Sequence, residues 1–374
     1  MTKRSNVSGK TVLLIIIALV VLAGLLVALA YSPVGQQLID KIGSSGTDDK
    51  NHDKESVFTG IGGNLVAEDG TEILGEVRFE AHFIDVGQGD AILLRFGTDS
   101  ETVNIMIDGG TTSTGVDDYR KELVAYLSGV LGDAPIDYMI VTHPDTDHYN
   151  MLEEVMDEFV VEEIYYNNVA KNQTYSEFME KVETELGDPG VPIDADGGTY
   201  HLELPSEDYS MTIYAPGYGR FSDGNDDYDA EESNGMSPMI LVEVGSRKLL
   251  FTGDATTETE EWFITTLGTA SIDIDFLKVG HHGSDTSTSA EFLSFLTPEY
   301  CVISCDDGEE YDHPSSTVMN RLFDEGVVTY RTNRQGDIVL LIDSDGDMAF
   351  KAEHEVPVEN NTDGLPDLML KTKK

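Results

Sequence analysis

The stretch Val141-Thr-His-Pro-Asp-Thr-Asp-His-Tyr149 lies between an apolar run at 136–141 and a segment at 152–159 whose apolar residues have helical spacing. It contains four potential metal ligands within six residues: His143, Asp145, Asp147 and His148. The first three alternate along an extended segment, so their side chains can point to the same side. Imidazole with carboxylate suits zinc, manganese or iron, and the carboxylates favour harder ions such as manganese. The stretch therefore predicts a metal site at a strand-to-helix junction.

A competing interpretation makes Asp145 or Asp147 a helix N-cap and His143 a structural histidine whose hydrogen bonds are satisfied. Each residue taken alone fits that interpretation. Four such residues together at the end of a buried strand do not, and we therefore favour the metal site.

Two later segments carry further candidates at strand ends. In Phe251-Thr-Gly-Asp254 an acidic residue follows an apolar strand, where an aspartate after glycine is usually a turn residue. In Lys278-Val-Gly-His281-His282-Gly283-Ser284 two histidines follow an apolar run. Adjacent histidines point in different directions, so one would bind metal and the other would support the site or face the substrate. Because functional loops converge at the edge of a rigid sheet, we expect these groups to meet.

The charge of the chain limits its partners. Its 374 residues include 70 acidic and 23 basic side chains, a formal net charge of -47. Such a charge repels nucleic acid and anionic lipid and argues against a general DNA-binding surface, although bound divalent cations would reverse it locally. Six basic residues remain candidates for a track beside the site: Arg220, Arg247, Lys248, Lys278, Arg331 and Arg334. Cys301 and Cys305 are predicted to share one face of a strand, too far apart for a disulfide.

The N-terminal segment predicts a membrane anchor. Thr11 to Tyr31 is 21 residues without a charge, which is long enough to cross a bilayer as a helix. Basic residues precede it, so the positive-inside rule places the N-terminus in the cytoplasm and the rest outside the cell. We predict a single-pass cell-membrane protein with an anchor (1–31), a tether (32–75), an extracellular domain (76–352) and a polar tail (353–374). The alternative is a signal peptide cleaved at Ala28-Leu-Ala30, which would give a secreted protein.

Between residues 76 and 352 the sequence contains two sets of short apolar strands, each followed by amphipathic helices. This pattern predicts an α/β domain in which two sheets pack face to face with helices outside. The acidic stretch Ser222 to Glu232 is interpreted as a solvated loop, with a cation site as the alternative. Asp345-Gly346 predicts a hairpin, and the flanking Asp343 and Asp347 are interpreted as turn residues.

Five segments, in this order, resemble the metallo-β-lactamase fold and in detail are similar to the extracellular domain of ComEC-type competence proteins. They are Phe83-Ile-Asp-Val-Gly-Gln-Gly-Asp90, Ile107-Asp-Gly-Gly110, Thr142 to His148, Thr252-Gly-Asp254 and Lys278 to Ser284. The similarity covers roughly Arg78 to Leu341. It implies a four-layer αββα sandwich with one or two divalent ions, zinc or manganese, at the edge of the sheets.

The resemblance also implies roles for individual residues. His143 and Asp145 would hold one ion, and Asp147 and His148 would hold the other together with one of His281 or His282. Asp254 would bridge the two ions, while Asp85, Asp90 and Asp108 would support the site from behind the ligands. The sequence departs from the wider fold twice: Asp145 replaces the usual second histidine, and Ser233 and Asn234 stand where a third histidine is usual. The ion held by His143 is therefore the weaker expectation.

These residues predict metal-assisted hydrolysis, in which a metal-bound water becomes nucleophilic near neutral pH. Asp147 and His313 are the predicted catalytic residues. His313, in Asp312-His-Pro-Ser-Ser, resembles a histidine-proline element of ComEC-like domains and would protonate the leaving group; its alternative role is helix entry. Ser284 would offer its hydroxyl to a phosphate, or else cap a helix.

The predicted function is an exported, membrane-tethered phosphodiesterase or nuclease acting on DNA, with single-stranded DNA as the first substrate to test. One alternative is hydrolysis of a small phosphoester, lactone or thioester. Another is a cell-surface metal-binding interaction protein without turnover, which the absent third histidine favours. A role in DNA transport would need a separate membrane channel as partner.

Overall fold

The computed structural model describes residues 56–57, 60–67, 72–167, 172–187, 190–193, 197–217, 220, 230–307, 312–354, 356 and 369–371. The predicted membrane segment at 11–31, most of the predicted tether and tail, and the acidic stretch up to residue 229 lie outside these residues. None of the helices in the described ranges combines the length and apolarity that a bilayer crossing requires.

The described residues form eighteen strands and nine α-helices. The strands are β1 (Ser56–Val57), β2 (Asn64–Ala67), β3 (Glu72–Phe83), β4 (Ala91–Gly97), β5 (Thr102–Gly109), β6 (Ile136–Val141), β7 (Val161–Tyr166), β8 (Val191–Pro192), β9 (Gly198–His201), β10 (Tyr209–Ala215), β11 (Met239–Val244), β12 (Arg247–Phe251), β13 (Phe276–Lys278), β14 (Tyr300–Ile303), β15 (Val328–Arg331), β16 (Ile338–Asp343), β17 (Met348–Ala352) and β18 (Met369–Lys371). The helices are α1 (Val116–Leu131), α2 (Thr146–Tyr149), α3 (Leu152–Glu158), α4 (Gln173–Leu186), α5 (Ala230–Gly235), α6 (Thr257–Leu267), α7 (Ala290–Leu296), α8 (Ser316–Asp324) and α9 (Thr332–Gln335). A 3-10 turn spans His281–Gly283.

The strands form two mixed sheets. The first has the order β18-β17-β16-β3-β4-β5-β6-β7-β8, with β2 joined to β3 and β1 joined to β2. The second has the order β15-β14-β13-β12-β11-β10-β9. The strands from β5 to β8 and from β12 to β15 run parallel. In each parallel set, the carboxyl ends of neighbouring strands lie at the same edge of the sheet.

Apolar side chains fill the space between the two sheets because alternate strand residues point inward. Phe83 from the first sheet packs on Phe276 from the second, with ring centroids 5.2 Å apart. The opposite faces of the sheets are covered by helices. Leu123, Leu127 and Leu131 recur every fourth residue along α1 and are buried against the first sheet, each stabilising the fold by about 1.5–3 kcal/mol.

The second sheet is covered in the same way by α6, α7 and α8, with Phe263, Phe292 and Leu322 among the buried residues. The layers therefore run helix, sheet, sheet, helix, and the predicted αββα sandwich is confirmed. The antiparallel pairing of β16 with β17 also confirms the predicted hairpin at Asp345-Gly346.

Several details differ from the expectations. Strand β14 ends at Ile303, so Cys305 lies beyond it and the two cysteines do not share a strand; both are buried free thiols. Strand β7 was not predicted, because its acidic second and third residues break the apolar pattern. Helix α5 begins at Ala230, within the stretch predicted to be a loop, and its acidic first turn suits a helix N-terminus. The first sheet also takes in β2 and β18, outside the predicted 76–352 domain.

Candidate metal centre

Two glycines let neighbouring loops pack tightly against the turn that carries Asp147 and His148. A Cβ atom on Gly110 would overlap the backbone of both residues, and one on Gly89 would overlap the carbonyl oxygens of Gly110 and Asp147. The Asp147 carbonyl also accepts a hydrogen bond from the backbone N–H of Asp90, at 3.1 Å. Only glycine allows such an approach of two backbones. The two glycine motifs of the sequence therefore fix the position of the ligand-bearing turn.

Asp108, at the end of β5, anchors this turn from behind. Its fully buried carboxylate accepts three hydrogen bonds: from the Thr142 N–H (2.8 Å), the Thr142 hydroxyl (2.7 Å) and the His148 Nδ1–H (2.8 Å). Its φ of 56° lies in the left-handed region, which costs a residue other than glycine about 1–3 kcal/mol. Because the Nδ1–H of His148 donates to this carboxylate, the Nε2 atom is the nitrogen whose lone pair can bind a metal.

His143 is oriented by the same neighbour. Its Nδ1 lies 3.1 Å from the Thr142 hydroxyl and 3.2 Å from the Ser237 hydroxyl. The Thr142 hydroxyl donates its only hydrogen to the Asp108 carboxylate, so it accepts from the His143 Nδ1–H. The lone pair of His143 is therefore also on Nε2. That atom lies 3.9 Å from Asp145 Oδ1 and 4.0 Å from Asp254 Oδ2.

His282 reaches the same place from the second sheet. Its Nδ1–H donates to the Ser304 carbonyl oxygen at 3.0 Å, which again leaves the lone pair on Nε2. This Nε2 lies 3.3 Å from Asp147 Oδ2 and 3.5 Å from Asp254 Oδ2. The φ of His282 is 50°, a second residue other than glycine held in the left-handed region.

Asp254, just after β12, lies at the centre of these groups. Its Oδ1 is 3.4 Å from His148 Nε2, and its Oδ2 faces the Nε2 atoms of His143, His281 and His282. Its backbone N–H donates to the Ser237 hydroxyl at 3.1 Å. The aspartate that alone would suggest a turn residue therefore joins the histidines of both sheets.

The central atoms fit a divalent transition ion. The Nε2 atoms of His143, His148 and His282 and the Oδ1 atom of Asp254 are buried, and none has a hydrogen-bond partner among the described residues. A buried polar atom without a partner costs about 1–3 kcal/mol. Among the described residues, four overlapping groups have ligand atoms within 4.8 Å of one another: His143 with His148 and Asp254, Asp147 with His148 and His282, and two groups that contain Asp90. Three imidazole lone pairs and two carboxylates at this spacing suit zinc, manganese or iron.

The ionisation of the metal-free protein reflects this crowding. Burial lowers the pKa values of His148 and His282, but the charge of the Asp254 carboxylate has the larger effect. It raises the pKa of His148 well above its usual value and that of His282 to about 10. Those imidazolium charges in turn overcome burial and hold the pKa of Asp254 well below its usual value and that of Asp147 at about 2. Burial and the charge of His148 lower the pKa of His143. The metal-free centre is thus held together by charge pairs that a cation would replace.

Asp145 and helix α5 lie on the side of His143. Asp145 occupies the N-cap position of α2, but its side chain makes no capping hydrogen bond, and its Oδ1 accepts a short hydrogen bond from the Ser233 hydroxyl. The N-cap interpretation therefore does not explain this carboxylate. Ser233 and the neighbouring Asn234, which stand at the sequence position of the usual third histidine, lie in helix α5 beside Asp145 and His281.

The two adjacent histidines diverge, as the sequence predicts. Their ring planes differ by 69°, and only His282 lies among Asp147, His148 and Asp254. His281 lies further out, with Nε2 at 3.2 Å from the Asn234 amide nitrogen and Nδ1 at 2.9 Å from the Thr286 hydroxyl.

Two other predicted residues border this outer side. The Ser284 hydroxyl is 3.0 Å from that of Thr286, so Ser284 continues the polar row that begins at His281. The rings of His313 and His281 have centroids 5.6 Å apart. Burial and the charges of His282 and His281 lower the pKa of His313 to about 4, so it is neutral near pH 7 in the metal-free protein. Ser315 caps α8 two residues later, so the helix-entry role also fits this element.

Asp85 and Arg247 lie away from the central ligands. Asp85 accepts a hydrogen bond from Gly87 N–H and its own N–H donates to Asp337, while burial raises its pKa to about 6. Arg247 pairs with Asp275 at the amino end of β12, opposite the end that leads to Asp254. Arg331 ends β15 and Arg334 follows it, so they lie at the sheet edge where the parallel strands lead to Asp254 and His282.

Three groups that orient the ligand histidines could not be recognised from the sequence. Thr142 lies inside the opening stretch, but its hydroxyl gave no signal of its own. Ser237 and the Ser304 carbonyl are recruited from elsewhere in the chain, from residues 94 and 22 positions away from the histidines that they contact. A serine hydroxyl or a backbone carbonyl carries no metal-binding pattern, so only the folded geometry reveals them.

The comparisons with known proteins agree with this geometry. The family profile described as the metallo-beta-lactamase superfamily matches residues 84–305. ComE operon protein 3 of Bacillus subtilis (strain 168) is 28% identical over 270 residues, covering 69% of this chain and 32% of its own length. Competence protein ComA of Neisseria gonorrhoeae is 26% identical over 252 residues, covering 67% of this chain and 30% of its own. The chain thus spans about a third of the length of these curated relatives.

Among solved structures, the metallo-beta-lactamase fold protein YhfI of Bacillus subtilis has a TM-score of 0.43 and 11% identity, covering 68% of this chain and 95% of that one. The profile match, by contrast, covers more than half of the chain and runs from the loop before β4 to just past β14. It includes Asp108, the His143 to His148 stretch, Asp254 and His282. This chain belongs to the metallo-β-lactamase superfamily.

Proposed function

We propose that this protein is a metal-dependent hydrolase and that its substrate is a phosphodiester, with single-stranded DNA as the first candidate. The observation that carries the proposal is the set of three buried Nε2 lone pairs and one buried carboxylate oxygen that converge without hydrogen-bond partners. Without a metal, charge pairs between these histidines and carboxylates take the place that a cation would fill. The similarity to competence proteins supports DNA as the phosphodiester.

The distances support one ligand set, and the resemblance supplies the other. Asp147, His148 and His282, with ligand atoms within 4.8 Å of one another, would hold one ion. His143 and Asp145, 3.9 Å apart, would hold the other, with Asp254 shared between the sets. Zinc and manganese are the proposed ions. When bound, such ions make a water molecule nucleophilic near neutral pH and stabilise negative charge on phosphoryl oxygens.

The residues of the chain have separate tasks in this reaction. Asp108 and Thr142 keep the lone pairs of His143 and His148 on Nε2. Asn234, His281 and Ser284 line the outer side, where their polar atoms would orient a phosphate. His313, beside His281 and neutral near pH 7 in the metal-free protein, would have to take up a proton, for example from the attacking water, before it could protonate the leaving group.

A small phosphoester, lactone or thioester is the second candidate substrate. The observation that favours it is the pairing of Arg247 with Asp275 at the far edge and the burial of Lys278, since phosphate contacts by basic residues normally dominate DNA affinity. A metal-binding scaffold without turnover would use the same buried lone pairs, so the activity test separates it from a hydrolase. We further propose, from the N-terminal sequence and the similarity to competence proteins, that the domain is extracellular, tethered to the membrane and partnered by a separate channel.

The test uses the full chain loaded with zinc or manganese. We expect hydrolysis of a single-stranded oligonucleotide or of bis(p-nitrophenyl) phosphate, and loss of turnover by about 100-fold or more in Asp147→Asn and in His148→Gln, since each removes a proposed ligand. Asp324→Asn, an exposed carboxylate at the end of α8, is the matched control and should keep full activity. Turnover of small phosphoesters or lactones but not of oligonucleotides would select the second candidate. If none is hydrolysed with either metal, the proposed function is wrong.

A further inference from the structure

A lysine is completely buried beneath the metal centre. Lys278, the last residue of β13, has 0% of its side chain exposed, although lysine is almost never buried unless it is paired. Its Nζ donates to Asp90 Oδ2 at 2.9 Å and to the Val279 carbonyl oxygen at 3.1 Å. Asp90 is equally buried, at 1% exposure. The pair joins a loop of the first sheet to a strand of the second, across 188 residues of sequence.

Asp90 contacts both the ligand-bearing turn and the region of His282. Its backbone N–H donates to the carbonyl of the ligand residue Asp147, and its carbonyl accepts from the Gly110 N–H, both at 3.1 Å. Its Oδ1 lies 3.8 Å from His282 Nδ1 and has no hydrogen-bond partner among the described residues. Asp90 is thus placed to draw the His282 Nδ1–H away from the Ser304 carbonyl oxygen, and the charge of Lys278 on its other oxygen opposes that.

The negative charges around the centre exceed those that two divalent ions would balance, and Lys278 balances the remaining one. Five carboxylates surround the candidate ion positions: Asp90, Asp108, Asp145, Asp147 and Asp254. Two divalent ions would bring four positive charges, and the ammonium of Lys278 supplies the fifth. The Lys278 ammonium lies on Asp90 Oδ2, where it keeps this carboxylate from competing for the ions.

We propose that Lys278 is a positioning residue of the metal centre: by neutralising Asp90, it holds His282 on the Ser304 carbonyl oxygen and sets the affinity of the ion that His282 would bind. This inference rests on the proposed metal-dependent function. A purely structural ion pair makes a different prediction: breaking it lowers the melting temperature, but the protein that remains folded keeps its zinc affinity.

The experiment compares a single and a double variant of the full chain. Lys278→Gln leaves the carboxylate of Asp90 beside His282 without its cation, whereas Lys278→Gln with Asp90→Asn removes both charges and keeps a neutral hydrogen-bonded pair in the same place. The matched control is Arg247→Met with Asp275→Leu, which removes a largely buried ion pair (2.7 Å) of the same sheet at its opposite edge. Zinc affinity is measured by competition with a chelating dye, folding by thermal melting without metal, and ligand geometry by the absorption spectrum of bound Co²⁺.

We expect folded Lys278→Gln to bind zinc about 10–100-fold more weakly than the wild type and to shift the Co²⁺ spectrum, as loss of groups that orient metal ligands usually does. The double variant should return to nearly the wild-type zinc affinity and spectrum, because it has no carboxylate to draw His282 from the Ser304 carbonyl oxygen. The control should match the wild type in both. The inference is overturned if folded Lys278→Gln keeps a zinc affinity within about twofold of the wild type and an unchanged Co²⁺ spectrum, or if the folded double variant binds zinc about 10-fold or more weakly than the wild type. Because these measurements need no turnover, a wild type that binds zinc but cleaves no phosphodiester contradicts only the proposed substrate. A wild type that binds no zinc contradicts both proposals.

Discussion

Replacing Asp108 by asparagine tests how the histidine lone pairs are fixed. Asparagine has the same shape and tolerates the left-handed backbone that φ of 56° requires, so the substitution adds no backbone strain. It does change the hydrogen bonds. The carboxylate accepts from three donors, the Thr142 N–H, the Thr142 hydroxyl and the His148 Nδ1–H.

An amide has only one acceptor oxygen, so one orientation of the introduced side chain would set its NH₂ group against the His148 Nδ1–H and the other would set it against the Thr142 N–H. Either the donor stays buried without a partner, at about 1–3 kcal/mol, or His148 moves its proton to Nε2 and gives up the lone pair that faces Asp254. Both outcomes weaken metal binding. Loss of such a supporting carboxylate typically lowers metal affinity about 10–100-fold, which corresponds to about 1.4–2.7 kcal/mol.

The assay is a competition titration of zinc, and separately of manganese, against a chromophoric chelator at pH 7.5. Asp324→Asn is the control, because it makes the same chemical change on the surface. Circular dichroism confirms that each variant is folded. A folded Asp108→Asn protein whose affinity for both ions stays within about twofold of the wild type would refute the reasoning that this carboxylate sets the proton positions of the ring.

Three further predictions follow from the same geometry. Ser237→Ala removes the acceptor of the Asp254 N–H and a contact of His143, so we expect the free energy of unfolding in urea to fall by about 1–2 kcal/mol and zinc affinity to fall as well. Gly110→Ala forces a Cβ into the ligand-bearing turn and should abolish high-affinity metal binding in a competition titration, even where the protein still folds. The pKa of His282, about 10 in the metal-free protein, lies above its usual value of about 6.5. Its charged form therefore stabilises the metal-free fold fully below about pH 6.5, and thermal melting should show this contribution being lost as the pH rises toward 10. Zinc binding at pH 7 should accordingly release protons, which calorimetry in buffers of different ionisation enthalpy measures.

The sequence identified the ligand-bearing segments because strand ends are readable from local patterns. The apolar run 136–141 predicted β6 with its observed bounds, and the residues after it were expected to face one side. The segments ending in Asp254 and in the two histidines were recognisable for the same reason. Period-two burial and glycine turns are properties of short stretches, so they need no knowledge of the rest of the chain.

The proton positions and the charge balance were not readable, because they depend on contacts between distant residues. The sequence does not show that the Ser304 carbonyl accepts a hydrogen bond from His282 and not from His281. Nor does it show that Lys278 of the second sheet pairs with Asp90 of the first. Asp85 shows the opposite failure: it lies in the same glycine loop as Asp90, but its carboxylate accepts from the Gly87 N–H of that loop. The carboxylates of Asp85 and Asp90 therefore have different partners, although both residues belong to one motif.

The central claim is that His143, Asp147, His148, Asp254 and His282 form a metal-binding centre. Its most direct test is the metal content of the full chain after incubation with zinc or manganese and exhaustive dialysis, measured by inductively coupled plasma mass spectrometry beside the His148→Gln/His282→Gln double variant. We predict about one to two transition ions per wild-type chain and a clear loss in the double variant. A wild-type chain that retains no transition ion, or a double variant that retains as much as the wild type, would contradict the claim.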